Sequence, residues 1–124
     1  MSSHKPDYDH LLRTNIERVF GERDAAKRDK VIAEIYTAEP VLLEPTDIVQ
    51  GRDNISKTVD KLLEQFGPDF AFMPVGQANG HHGLAHLAWH AGPKNGPVVV
   101  TGVDVAEIVD GRIARLWVLL DPPV

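Results

Sequence analysis

The sequence predicts an α+β domain, because three segments with helical apolar spacing come first and four segments with strand-like alternation follow. The period changes once, after Pro68. Helices first and a meander afterwards place the helices on one face of an antiparallel sheet. A length of 124 residues fits a single domain over 1–124, able to bury roughly two-thirds of the surface its unfolded chain exposes.

Tyr8, Leu11, Leu12, Asn15, Ile16, Val19 and Phe20 recur at helical spacing, with Asp7 after Pro6 as cap and Gly21 as stop. A second helix over Ala25 to Tyr36 gathers Val31, Ile32, Ile35 and Tyr36 on one side. Pro40 and Pro45 bracket Val41-Leu42-Leu43-Glu44, too short for a helix and aliphatic enough for a strand, to which Ile48-Val49-Gln50 returns antiparallel. Asp53 caps a third helix whose Ile55, Val59, Leu62, Leu63 and Phe66 follow a 3-4 spacing, and Gly67-Pro68 ends it.

Phe70 to Ala78, Leu84 to Ala91, Val98 to Val109 and Ile113 to Leu120 then read as four strands. Their joints are Asn79-Gly80, the segment Gly92 to Pro97, and Asp110-Gly111. The last joint sets the register. A two-residue turn puts Asp104 opposite Trp117, whereas a three-residue loop Val109-Asp110-Gly111, with Gly111 at positive φ, puts it opposite Leu116. The second is preferred, since it groups Val100, Gly102, Asp104 and Ala106 with Leu116, Val118 and Leu120. Thr101, Val103, Val105, Arg115, Trp117 and Leu119 then share the opposite face.

Composition narrows the function classes. A formal net charge of −5 offers no footprint for a phosphate backbone, so no nucleic-acid partner is expected. Zero cysteines exclude disulfides, thiolate metal sites and a cysteine nucleophile. The polar start Met1 to Asp7 lacks the apolar stretch of a signal peptide, and no segment reaches the length of a membrane span. The expectation is a cytoplasmic protein with no membrane partner.

Among the apolar residues of Val98 to Val109, Asp104 stands out. A carboxylate buried there without a partner costs several kcal/mol or takes up a proton, which makes it a proton handle in an apolar setting. Turned outward, it would be an ordinary solvated acid. The histidines do not read as a metal centre, because on a strand His86 and His90 lie about 13 Å apart. His81 and His82 fall at a hairpin end. Trp89 alternates with Leu87 and faces the helices, either as core or as an N–H donor, and Tyr36 either reaches a pocket or caps a core contact. Arg52 is expected to brace the start of the third helix. No nucleophile motif, phosphate loop or dinucleotide fingerprint is present.

Tyr36-Thr37-Ala38-Glu39-Pro40, Gln50-Gly51-Arg52-Asp53-Asn54-Ile55, and Gly102-Val103-Asp104-Val105 followed by Asp110-Gly111-Arg112-Ile113 occur in an order that resembles the nuclear transport factor two-like superfamily. Within it the chain is similar to the SnoaL-like and ketosteroid isomerase-like proteins. The resemblance covers nearly the whole chain and implies a cystatin-like α+β barrel, three helices on a strongly curved sheet around a cone-shaped pocket, commonly a homodimer through the outer sheet face. It also implies two pocket acids, which fall on Glu44, before Pro45, and on Asp104. The oxyanion tyrosine of ketosteroid isomerases falls near Ile16, and the further carboxylate of limonene epoxide hydrolases near Val118, so neither donor set is complete.

Two functions follow. One is a cofactor-independent isomerase, cyclase or dehydratase, using Asp104 and Glu44 for proton transfer on a small apolar carbonyl compound. Trp89, Leu87, Leu116, Val118, Leu120, Tyr36, Ile16 and Phe20 would line its pocket. The other is a non-catalytic domain that binds a hydrophobic ligand or dimerises. Neither requires a metal or cofactor. The outer face, with Val103, Val105, Trp117 and Leu119, is expected to pair two copies.

Overall fold

A computed structural model describes residues 6–122. Its elements are α1 (Tyr8–Thr14) continuing as a π-helix over Asn15–Phe20, α2 (Ala25–Ile35), β1 (Tyr36–Leu43), β2 (Ile48–Gln50), α3 (Arg52–Glu64), β3 (Phe70–His81), β4 (Leu84–Pro93), β5 (Val100–Val109) and β6 (Arg112–Leu120). One six-stranded sheet runs in the order β2-β1-β6-β5-β4-β3 and does not close on itself. The core lies between its concave face and the helices, and includes Leu12, Ile32, Leu42, Val59, Leu87 and Leu116.

The first helix departs from an unbroken α-helix at Asn15. Asn15 and Phe20 are five residues apart, which a regular α-helix splays by about 140°. The wider π turn brings both inward, and Asn15, Ile16, Val19 and Phe20 are all buried. The second helix stops one residue short of Tyr36, whose extended backbone (φ −106°, ψ 150°) starts β1. Glu44 therefore falls in the turn after β1, where its N–H donates to the Asp47 carbonyl at 2.8 Å. Gly51, at φ 91°, takes the place expected of Asp53 at the start of α3. Arg52 braces that start by donating to the Thr37 and Tyr36 carbonyls at 2.9 and 2.8 Å.

All strand pairs are antiparallel but one, the parallel pairing of β1 with β6, where Leu42 lies beside Leu116. The strand pattern of the sequence pointed to an antiparallel sheet throughout. A parallel neighbour leaves no local mark, because its partner lies far along the chain. The strand β3 runs through Asn79-Gly80 to a turn at His82-Gly83, with φ 51° and 84°, rather than turning at Asn79-Gly80. It bulges after Val75, at Gly76. Arg13 donates to the Gly76 carbonyl at 2.6 Å and Asp9 accepts from the Ala78 N–H at 2.8 Å, which ties α1 to the bulge.

The last hairpin also corrects the expected register. Val109 pairs with Arg112 across a two-residue turn in which Asp110 and Gly111 both have positive φ, 52° and 79°. The register then slips by one residue between Ile108 and Glu107, with Ala114 as the extra residue, and Asp104 comes opposite Val118 rather than Leu116. The bulge restores the parity that the tighter turn would have reversed. Asp104 and Val118 still share a face, while Val105 pairs with Trp117 on the other.

Between α2 and α3 the Arg28 side chain is completely buried. It donates to Ser56 Oγ and the Glu22 carbonyl, both at 3.1 Å, and to Asp60 Oδ1 at 2.9 Å through Nη1. The side chain of Asp60 is 44% exposed, so its loss looks harmless from its own position. A guanidinium left without its anion in the interior is not harmless. Asp60→Ala is therefore expected to lower stability by about 2–3 kcal/mol, read from urea unfolding, well above the roughly 0.5 kcal/mol of an ordinary surface substitution.

Candidate active site

The concave face and the helices enclose a cavity of about 260 Å3. Its walls are Ile16 and Phe20 from the π-helix, Leu62 and Phe66 around the end of α3, Phe70 and Phe72 from β3, and Trp89 from β4. Val99 and Val100, with Val118, Leu120, Glu44 and Pro45, complete it around Asp104. Three residues expected in the wall lie elsewhere: Leu87, Leu116 and Tyr36 belong to the solid core behind it. Leu87 and Leu116 do share the concave face, but both are buried in the core and neither borders the cavity. The aromatic side of the cavity is a continuous cluster, in which Phe66 and Phe70 stack at 4.0 Å and Phe72 meets Trp89 edge-on at 5.7 Å.

Asp104 is 4% exposed. Both carboxylate oxygens are hydrogen-bonded: Trp89 Nε1 donates to Oδ1 at 3.0 Å, and Asn15 Nδ2 donates to Oδ2 at 3.4 Å. Behind Asn15, the Tyr36 hydroxyl donates to Asn15 Oδ1 at 2.6 Å. Tyr36 thus touches the site through Asn15, not through the cavity. Removal from water pushes the Asp104 carboxyl up to about 7, against the opposing pull of the Trp89 and Asn15 donors, which favour the anion. Glu44, half-buried in the cavity wall, is also raised, first by desolvation and then by the neighbouring Asp47 charge. Burial, with the Asp104 charge adding to it, raises Tyr36 well above the usual phenol range, so its hydroxyl stays protonated.

Gly102 makes room for this arrangement. It pairs with Trp89 across the β4–β5 ladder, and a Cβ there would lie 2.5 Å from Trp89 Cζ2 and 2.6 Å from the Leu119 carbonyl oxygen. Any side chain at 102 would displace the indole that holds Asp104. Asn15 is the polar group the sequence did not single out. Its signal was available: an amide among Leu12, Ile16 and Val19 on a buried helical stripe needs a partner inside the protein.

His81, His82, His86 and His90 stand apart from the cavity. His86 and His90 lie on the convex face, level with Val105 and Thr101, and His81 and His82 sit at the β3–β4 turn with Nδ1 atoms 2.8 Å apart. Among the described residues, no three His, Asp or Glu side chains are grouped to hold a metal ion. No helix among them is long and apolar enough to cross a membrane.

The sequence matches the SnoaL-like domain over residues 14–116. The chain belongs to that family. A proposed isomerase of the SnoaL-like family from Agrobacterium tumefaciens superposes with a TM-score of 0.85 at 20% identity, over 94% of this chain and 98% of the other. A proposed ketosteroid isomerase from Kribbella flavida gives 0.71 at 13% identity, over 95% and 80%. A proposed SnoaL-like polyketide cyclase from Jannaschia sp. CCS1 gives 0.69 at 17%, over 98% and 92%. Curated proteins give no significant sequence match. At such identities the similarity establishes the shared fold, helices on a curved and unclosed sheet, and function has to be argued from the site.

Folded Asp104 keeps its proton up to about pH 7, whereas the unfolded chain releases it near 3.8. Between these values the folded state binds more protons, so this group's contribution to stability falls as pH rises and levels off above about 7. Asp104→Asn has no such slope. Its melting temperature relative to the parent is expected to climb between pH 4 and 7 and then stay constant. Parallel pH profiles for the two proteins would show that Asp104 titrates normally.

Proposed function

We propose that this SnoaL-like protein is a cofactor-independent enzyme, an isomerase, cyclase or dehydratase, that moves a proton on a compact apolar carbonyl compound. The observation that carries this reading is a carboxylate with a near-neutral pKa in the wall of an otherwise apolar, aromatic-sided cavity. Ionised, Asp104 takes a proton from the carbon next to the carbonyl. The electron pair of the broken C–H bond moves to the carbonyl oxygen as an enolate, and protonated Asp104 returns the proton to another atom of the same molecule. Glu44, raised by its partial burial, is the candidate donor to the enolate oxygen.

A cavity of about 260 Å3, open on one side, suits a small apolar compound. The aromatic side favours a flat ring. One observation favours the alternative of a ligand-binding domain without catalysis: protein donors already occupy both Asp104 oxygens. The two readings separate on deuterium uptake from D2O into the α-position of small cyclic ketones, followed by NMR. Catalysed exchange is expected to rise with pH up to about 7, as Asp104 ionises. Asp104→Asn is expected to lower it about 100-fold or more with little loss of ketone binding. Binding without exchange in the parent protein would leave the ligand-binding reading.

A second copy of the chain is the proposed partner. The convex face carries Val103, Val105, Trp117 and Leu119 with Met73, Val75 and Leu84, and Leu119, Met73, Val75 and Leu84 are 41–54% exposed. Such a patch favours a homodimer. Light scattering at micromolar concentration is expected to give a dimer, and Trp117→Arg a folded monomer. A monomeric parent protein would remove this assignment.

A further inference from the structure

The Tyr36–Asn15 pair sits behind the carboxylate, out of reach of the cavity, and what it does there follows from hydrogen-bond direction. We infer that Tyr36 and Asn15 are positioning residues that make Asp104 one-sided, holding Oδ2 as a permanent acceptor so that the proton enters and leaves only through Oδ1. This rests on the proton-transfer reading of the cavity for its catalytic meaning, but the hydrogen-bond lock itself can be tested without a substrate.

An asparagine amide has two orientations, and each gives Asp104 a different partner. With Nδ2 toward Asp104, the amide donates to Oδ2, and Oδ1 is left to accept from Tyr36. Turned over, Oδ1 would face Asp104 and accept an O–H from the protonated acid, while Nδ2 would face the Tyr36 oxygen. That second state leaves the phenolic proton without an acceptor in a completely buried position. An unmade hydrogen bond in a buried place makes that state the less populated one. Tyr36 is 0% exposed, and its raised pKa keeps the hydroxyl a donor. The phenol therefore selects the first orientation, in which Asn15 offers Oδ2 a donor and no acceptor for an acid proton.

Both oxygens accept an N–H, so the two sides differ in what could accept the acid proton: Asn15 cannot, whereas a molecule in the cavity can. Oδ1 accepts from Trp89 Nε1, and the Trp89 ring and Asp104 both line the cavity. The groups that face Asp104 are Asn15 from the π-helix and Trp89 from the neighbouring strand, with Leu87 and Val118 flanking it in the ladder. Glu44 is the other titratable group of the cavity wall, and Tyr36 acts only through Asn15. No basic side chain lines the cavity among the described residues.

Tyr36→Phe keeps the ring and removes the lock. Asn15 can then turn over and accept from protonated Asp104, which adds a hydrogen bond to the acid and takes one from the anion. The Asp104 pKa, followed through its 13C carboxyl resonance, is expected to rise by about one unit. Where the parent protein shows ketone exchange, the exchange-pH profile is expected to move with it, while KM stays the same. A folded Tyr36→Phe protein whose Asp104 titrates as in the parent would overturn the inference, since a purely structural phenol would alter stability alone. The parent protein supplies a second measurement should the variant not fold. The Asn15 amide protons are expected to keep their nuclear Overhauser partners on both sides of the Asp104 titration. An exchange of partners on protonation would equally overturn it. If the lock is found but no ketone exchanges, the positioning of Asp104 stands and the proton-transfer reading falls.

Discussion

An ionisable group kept out of water must be solvated by the protein itself, and much of this molecule's interior is arranged to solvate one carboxylate. Asp104 sits in the middle of the β5 strand, 4% exposed, and among the described residues no cationic side chain bonds to it. Two N–H groups stand in for the hydration shell. Each of those donors carries a condition of its own. Trp89 needs the space that Gly102 leaves, and Asn15 needs the inward turn of the π-helix and the hydroxyl of Tyr36. Three features that look unrelated along the chain are thus parts of one polar solution inside an apolar core.

The donors that favour the anion and the burial that opposes it pull Asp104 in opposite directions, and burial wins only part of the way. A carboxyl with no donors in this place would hold its proton to higher pH and serve better as an acid than as a base. One with more donors, or a cation, would be a permanent anion and too weak a base to compete for a carbon-bound proton. The compromise suits a group that has to exist in both states during one cycle.

Much of the fold was legible because the hydrophobic period is strong. Leu11, Leu12, Ile16 and Val19 marked a buried helix, and the alternation around Asp104 marked the concave face correctly. What the sequence did not reveal was either non-local or compensated. The parallel β1–β6 pairing joins residues with no local signature, and the one-residue bulge at Ala114 offsets the tight turn at Asp110-Gly111. Two departures cancelled, so the face was right while the partner was wrong. In the site, Asp104, Glu44, Trp89, Val118, Leu120, Ile16 and Phe20 do meet around one cavity. The aromatic side of Phe66, Phe70 and Phe72 was missed because phenylalanines at helix ends and strand starts read equally well as ordinary core. Leu87, Leu116 and Tyr36 went the other way, since sharing a face says nothing about how close the helices approach it.

The parallel pair has a consequence for how the protein is made. Leu42 and Leu116 become neighbours although they are roughly seventy residues apart. At about 5–20 residues per second, the ribosome delivers the second several seconds after the first. Throughout that interval β1 has only the short β2 strand at its side, and its other edge has no native partner to pair with. Closing such a distant contact is slow, and an unpaired strand edge invites the wrong partner. In a nascent chain this edge, flanked by Val41, Leu42 and Leu43, is the place where a chaperone or another polypeptide would engage before β6 arrives.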